Sequence, residues 1–230
     1  MNVTIRLKTI EDRIQAACDK AGRRREEVRL VAVSKASSPE EAVEVARNGI
    51  MDFGENRLGH FAEMRETFAA CGLQARWHMI GHLQRNKAKQ FLPLMDILHS
   101  LESIKLARVL NDLLTDEERT LEVFVQVNCS KEPQKYGLNP ERAPDFIASL
   151  AEFDRLVPVG LMTMAAFDGS DSEITRTFEL AGECLERSRG SLTGVARKRL
   201  CRLSMGMTND FEIAIACGAT DLRVGSAIFA

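Results

Sequence analysis

"RLVAVSK", residues 29–35, is a short unbroken apolar run closed by a lysine. Leu30, Val31, Ala32 and Val33 leave no polar face, which marks a strand buried on both sides and paired in parallel under covering helices. Seven further candidate strands follow: "IMDFGEN" (50–56), "RWHMIGH" (76–82), "DILHSLE" (96–102), "EVFVQVNC" (122–129), "LVPVGLMTM" (156–164), "CRLSMGM" (201–207) and "DLRVGSAIF" (221–229). Between them lie amphipathic stretches with helix signals. In "SSPEEAVEVARNG", Ser38 can cap, Pro39 suits the first turn and Gly49 can end the helix; "NPERAPDFIASLAEF" and "TNDFEIAIACG" read alike. Eight repeats of strand and helix predict an α/β fold, a single-domain (β/α)8 barrel of the TIM type, with an open doubly wound sheet as the rival. The chain stops one residue after the eighth strand, and an amphipathic segment precedes the first, so that N-terminal helix is expected to cover the gap of a missing outer helix. No linker or composition break divides residues 1–230.

The 230 residues are 45% hydrophobic and 28% charged, enough apolar material for a core. Lys and Arg total 31 against 33 Asp and Glu, so no single-sign field recruits nucleic acid or an anionic membrane, and 6% aromatic residues are too few for base stacking. Charges interrupt the apolar positions of the first 22 residues, which argues against a secretory signal or a membrane span and for a cytoplasmic protein. Six cysteines lack any C-x-x-C pair and read as buried free thiols. His78 and His82 have i, i+4 spacing but straddle a strand end without an H-E-x-x-H glutamate, so hydrogen-bonded structural roles are expected and no metal.

In a barrel of this type, chemistry sits where the strands finish. The candidate strand ends carry Lys35, Glu55 and Asn56, Gly81 and His82, His99 and Ser100, Asn128, Met162 and Thr163, Ser204 to Met207, and Gly225 with Ser226. "SMGMTND" and "RVGSAIF" follow the last two strands, where barrels often bind phosphate; Gly206 and Gly225 let a ligand approach the backbone, and Ser204 and Ser226 offer hydroxyls. A phosphorylated ligand is implied. Lys35, buried in the mouth, would lose hydration and become a nucleophile toward a carbonyl, so a phosphorylated aldehyde such as pyridoxal 5'-phosphate meets both demands.

The ordered set "AVSK", "FGENR", "WHMIGHLQRNK", "LHS", "VQVNCSKEPQKYGL", "GLMTM", "LSMGMTNDFEIAI" and "RVGSAIF", from about Leu30 to Phe229, resembles the YggS/PROSC family of pyridoxal phosphate-binding proteins. The resemblance implies a barrel similar to the N-terminal barrel of alanine racemases, with the cofactor as a Schiff base on Lys35. It also implies Ser204, Gly206, Gly225 and Ser226 near the phosphate, Arg223 opposite the pyridine nitrogen, and Asn56, Met162 and Thr163 lining the cofactor. Ser226 stands where the family commonly has threonine, which keeps the hydroxyl.

Strong carbanion chemistry on this cofactor wants a protonated ring, and a guanidinium cannot supply that proton balance because it accepts none. Tyr136, the one tyrosine, lies in a loop after the fifth strand with nothing to place it as a base. The reading is therefore a monomeric protein that holds pyridoxal phosphate and delivers it to apo-enzymes, in vitamin B6 and amino-acid homeostasis, without dedicated turnover. The alternatives are an amino-acid racemase of fold type III and a Schiff-base aldolase. Lys131 and Lys135 are candidates to take the aldehyde during delivery, and Arg85, Lys87 and Lys89 to guide an anion toward the mouth.

Overall fold

The computed structural model describes residues 2–229. The chain opens with α1 (Val3–Lys20) and then runs β1 (Arg29–Val33), α2 (Pro39–Arg47), β2 (Asp52–Glu55), α3 (Leu58–Ala70), β3 (Arg76–Met79), α4 (Ala88–Phe91), β4 (Ile97–Leu101), α5 (Ile104–Asp116), β5 (Leu121–Gln126) and α6 (Ala143–Ser149). It continues with β6 (Leu156–Met162), α7 (Asp171–Gly190), α8 (Gly194–Arg199), β7 (Arg202–Ser204), α9 (Phe211–Ala216), β8 (Asp221–Val224) and α10 (Ser226–Phe229). The eight strands close in sequence order, every pair parallel, and β1 meets β8 with Arg29 opposite Asp221 and Ala32 opposite Val224. That pairing excludes the open sheet.

All eight expected strands are present, and each stops short of its expected C-terminal end. The largest difference is at the last: residues 226–229, expected as strand, form the single turn of α10. Once past Gly225 the chain has left the ladder, and its N–H groups at 228 and 229 bond back to the Gly225 carbonyl. The final outer position thus holds a short helix, and α1 packs against α2, α9 and α10 beside it. The buried face of α1 repeats at helical spacing, Val3, Leu7, Ile10, Ile14 and Cys18. Arg13 fixes its seat, bonding Glu212 at 2.8 Å and lying over the Phe211 ring at 4.5 Å.

Strand alternation splits the core in two. Outward residues such as Leu30, Phe53, Trp77, Leu98, Val123 and Leu222 meet the helices, whereas Ile97, Phe124, Val159 and Met162 form a separate cluster inside the barrel. Phe68 of α3 packs edge to face on both Phe53 and Trp77 at 5.0 Å. Burying each such ring stabilises the fold by about 1.5–3 kcal/mol. Gly160 lets β6 approach β7, because a Cβ there would lie 1.9 Å from the Arg202 carbonyl oxygen.

Below the apolar cluster the barrel is closed by charge. Arg29, Asp52, Arg76, Glu122, Arg202 and Asp221 stand at or next to strand starts and pair around the floor: Arg29 with Asp52 at 3.6 Å and Asp221 at 3.3 Å, Glu122 with Arg76 at 3.1 Å and Arg202 at 3.0 Å. Arg202 also pairs closely with the buried Asp221.

Candidate functional site

The parallel closure brings all strand C-terminal ends to one mouth. Lys35 lies in the turn after β1 and is exposed, which corrects the expectation of a buried, dehydrated amine. The turn itself is held from beneath. Wholly buried Glu55, at the end of β2, accepts from Ser34 Oγ at 2.5 Å, and its other oxygen lies 3.0 Å from His60 Nδ1. His60 Nε2 reaches the Ser37 carbonyl at 3.0 Å, and Ser37 Oγ donates to the Ser34 carbonyl at 2.9 Å. Both neighbours of the lysine turn are therefore tied to one carboxylate. Burial alone lowers the pKa of His60, but the adjacent Glu55 outweighs it and raises the ring above its ordinary 6.5.

Across the mouth, the ends of β6, β7 and β8 converge on a buried guanidinium. Arg223 is 5% exposed; its Nη1 donates to Ser204 Oγ at 2.6 Å and its Nη2 to the Thr163 carbonyl at 2.9 Å. Its backbone N–H bonds to the Gly206 carbonyl at 2.9 Å. Burial lowers its pKa to about 10, against the favourable charges of Asp210 and Asp221, so it remains a cation at neutral pH. Gly206 has φ +93°, and a Cβ would meet that of Ala214 at 2.7 Å, so only glycine fits this turn. Gly225 abuts the end of β1, where a Cβ would lie 3.0 Å from the Val33 carbonyl. Ser226 is exposed and shares a 3.1 Å hydrogen bond with Thr208, which joins the loops after β7 and β8. The N–H groups of Thr208, Gly225, Ser226 and Ala227 find no acceptor among the described residues.

Of the expected site residues, Thr163, Ser204, Gly206 and Arg223 are thus linked by direct hydrogen bonds. Met162 pairs in register with Ser204 and packs into the apolar cluster beneath. Asn56 follows β2 and touches Gly81, whose Cβ would fall 2.7 Å from that of Asn56. Two side-chain atoms at this end, Asn56 Oδ1 and Thr163 Oγ1, are buried without a hydrogen-bond partner. Buried polar atoms are rarely left so unless a ligand or water meets them. Sequence reading missed His60, Thr208 and the bonding roles of Ser34 and Ser37. The hydroxyl in "GMTND" was a usable signal for Thr208; nothing local marks His60.

Other expectations resolve as follows. His78 is buried and bonded to Asp52 at 2.9 Å, while His82 pairs with Glu102 at 3.1 Å on the surface. Tyr136 is 58% exposed and stacks on His82 at 4.1 Å. Lys135 donates to the Ala165 carbonyl at 2.7 Å and pairs with Glu132, whereas Lys131 is exposed at φ 58°. Arg85, Lys87 and Lys89 are exposed. Not every thiol is buried: Cys18, Cys129 and Cys184 are, but Cys71, just after α3, and Cys201, just before β7, are exposed because they sit outside the packed elements, and Cys217 is half-buried. No helix among the described residues is long and apolar enough to cross a membrane.

Comparison with known proteins places this architecture. The family model for the alanine racemase N-terminal domain matches residues 5–230. The chain is 36% identical to the pyridoxal phosphate homeostasis protein of Escherichia coli (strain K12), covering 97% of this chain and 94% of that protein. It is 33% identical to the protein of the same name from Aquifex aeolicus (strain VF5), over 100% and 98% of the two chains. Among solved structures, PipY of Synechococcus elongatus PCC7942 with PLP bound aligns at TM-score 0.83 and 27% identity, covering both chains fully. An alanine racemase from Clostridium difficile 630 shares the fold, at TM-score 0.76 and 14% identity over 99% of this chain and 56% of that one. By sequence over nearly its full length and by the closed barrel it forms, the chain belongs to the pyridoxal phosphate homeostasis protein family, a family of the alanine racemase N-terminal domain type.

Proposed function

We propose that this protein holds pyridoxal 5'-phosphate at the strand C-terminal ends and releases it to apo-enzymes, without turnover of its own. The observation that carries the reading is Arg223, a buried cation with a fixed donor array, set between two glycine turns at the mouth of the barrel. The residues present fit the cofactor. Thr163 Oγ1 and Asn56 Oδ1 are buried and unpartnered, the unpaired N–H groups of the last two loops with the Ser226 and Thr208 hydroxyls suit a phosphate, and the Gly206 and Gly225 turns admit its approach. Met162, in the apolar cluster beneath the mouth, would line the site on its apolar side.

When bound, the cofactor supplies an aldehyde that condenses with amines. Lys35 is the amine this chain offers, on a turn that Glu55, Ser34 and His60 hold. Its exposure suits exchange, because a carrier must let its cargo leave. Arg223 donates and cannot accept, so it would leave a pyridine nitrogen held against it unprotonated and weaken the electron sink that racemisation needs. Tyr136, stacked on His82 in the open, is poorly placed as the second base of a racemase.

Borohydride reduction of the protein mixed with pyridoxal phosphate, followed by peptide mass mapping, tests this. The pyridoxyl adduct is expected on Lys35 and absent in Lys35→Ala, with no racemisation of alanine by the unreduced protein. Random labelling of surface lysines would sink the attachment, and sustained racemisation would replace the carrier with an enzyme.

A further inference from the structure

The barrel interior contains a polar chain that the cofactor reading does not use. His78 on β3 and His99 on β4 are both wholly buried, with His78 Nδ1 2.8 Å from His99 Nε2. At one end, His78 Nε2 lies 2.9 Å from Asp52 Oδ1 at the barrel floor. At the other, His99 Nδ1 lies 2.8 Å from the Oγ of Ser204, which takes the 2.6 Å hydrogen bond from Arg223. β4 and β7 are not neighbours in the sheet, so the contact between His99 and Ser204 crosses the lumen.

The two ends dictate the direction of every hydrogen bond between them. Asp52 is an ionised acceptor: burial alone would raise its pKa, but the His78 hydrogen bond and the charges of Arg29 and Arg76 hold it below the usual range. His78 must then donate from Nε2. Burial keeps both rings neutral against the pull of Asp52 and Asp221 on His78, with the Arg202, Arg223 and Arg29 guanidiniums opposing any added proton. A neutral His78 presents a lone pair at Nδ1, so His99 donates from Nε2 and presents its own lone pair at Nδ1. Ser204 must give its single hydroxyl proton to His99, and it can then only accept from Arg223. One arrangement satisfies all four contacts.

We propose that Asp52, His78, His99 and Ser204 form one polarised hydrogen-bond relay through the barrel, by which the ionic floor sets the direction of the Ser204 hydroxyl that Arg223 rests on at the mouth. Asp52, His78 and His99 are positioning residues for Arg223. Reversing the bond at the floor reverses every bond above it: His99 Nδ1 then donates to Ser204, whose hydroxyl proton must turn away toward the mouth. Only the last step, from Arg223 to a bound ring, rests on the proposed cofactor.

Long-range proton–nitrogen NMR on the protein without added ligand tests the relay directly. At neutral pH both rings are expected neutral with the proton on Nε2; a charged ring, or a proton on Nδ1 of either, overturns the polarity. Asp52→Asn provides the second arm. Arg29 Nε lies 3.6 Å from Asp52 Oδ2 and can only donate, so the amide oxygen turns to Arg29 and the amide nitrogen faces His78. Both rings are then expected to switch to Nδ1–H. A folded Asp52→Asn protein whose His99 keeps its tautomer overturns the relay, because a merely structural aspartate would leave the distant ring unchanged. Should that variant fail to fold, the wild-type spectrum still decides the polarity. With pyridoxal phosphate added, the absorption band of the bound cofactor is expected to shift in Asp52→Asn. An unshifted band with switched tautomers overturns the coupling to the mouth, and failure of the wild type to bind pyridoxal phosphate overturns the cofactor reading while the tautomers still judge the relay.

Discussion

Glu55 is wholly buried, yet it serves three residues of the mouth through one carboxylate: Ser34 directly, His60 by charge, and Ser37 through His60. A neutral His60 must keep its proton on Nε2 for the Ser37 carbonyl, which would turn a lone pair at Nδ1 toward Glu55. The charged ring avoids this clash, and that is the physical content of its raised pKa. Glu55→Gln keeps an acceptor for Ser34 but removes the charge. His60 is expected to titrate above 6.5 in the native protein and below it in the variant, followed by proton NMR of the ring. An unchanged midpoint would show that the ring owes its charge to something else.

At the scale of elements, the turn bearing Lys35 is bounded by β1 and α2, and α2 starts on a reciprocal cap. Ser38 Oγ accepts from the Glu41 N–H at 3.3 Å, Glu41 returns a 3.0 Å bond to the Ser38 N–H, and Pro39 fills the first helical position. This cap was legible in "SSPEE" because it needs only local chain geometry. Ser38→Ala is expected to cost about 1 kcal/mol, read as a lower urea midpoint with unchanged slope. A loss confined to stability, with the Lys35 adduct intact, would show that the clamp at Glu55 rather than the cap positions the turn.

Across the whole molecule, the buried histidines make stability depend on pH. His78 and His99 have native pKa values below 6.5, so the unfolded chain binds more protons than the native one as pH falls below that value. Stability from these rings is complete above about pH 6.5 and is lost below it, at up to ~1.4 kcal/mol per pH unit for each ring. His60 acts the other way: its contribution is complete below 6.5 and fades as pH rises through its native value. Asp52, held below 3.8, contributes nothing to the change between pH 7.5 and 5.5. Two rings outweigh one, so the urea midpoint is expected to be lower at pH 5.5 than at 7.5. A midpoint that rises on acidification would mean that His78 or His99 is charged in the native state.

What the sequence determined alone follows from local rules. Apolar runs such as "RLVAV", alternating with capped amphipathic stretches, specify buried parallel strands and their covering helices, and eight of them point to a barrel, whose closure against the open-sheet rival the β1–β8 pairing then decided. Most of the candidate site was also legible, because strand C-terminal ends must share one face of such a barrel, and Ser204, Gly206, Arg223 and Gly225 lie in two short motifs. Tertiary structure decided the rest. His99 and Ser204 are separated by 105 positions and meet only because closure turns alternate residues of nonadjacent strands into one lumen. The ionic floor has the same origin: a charged residue at or near the start of six strands is a faint pattern in the chain, and only the barrel's circumference makes each a neighbour of opposite sign. The exposure of Lys35 was likewise beyond a linear reading, since it depends on which side chains the closed barrel brings over the turn after β1.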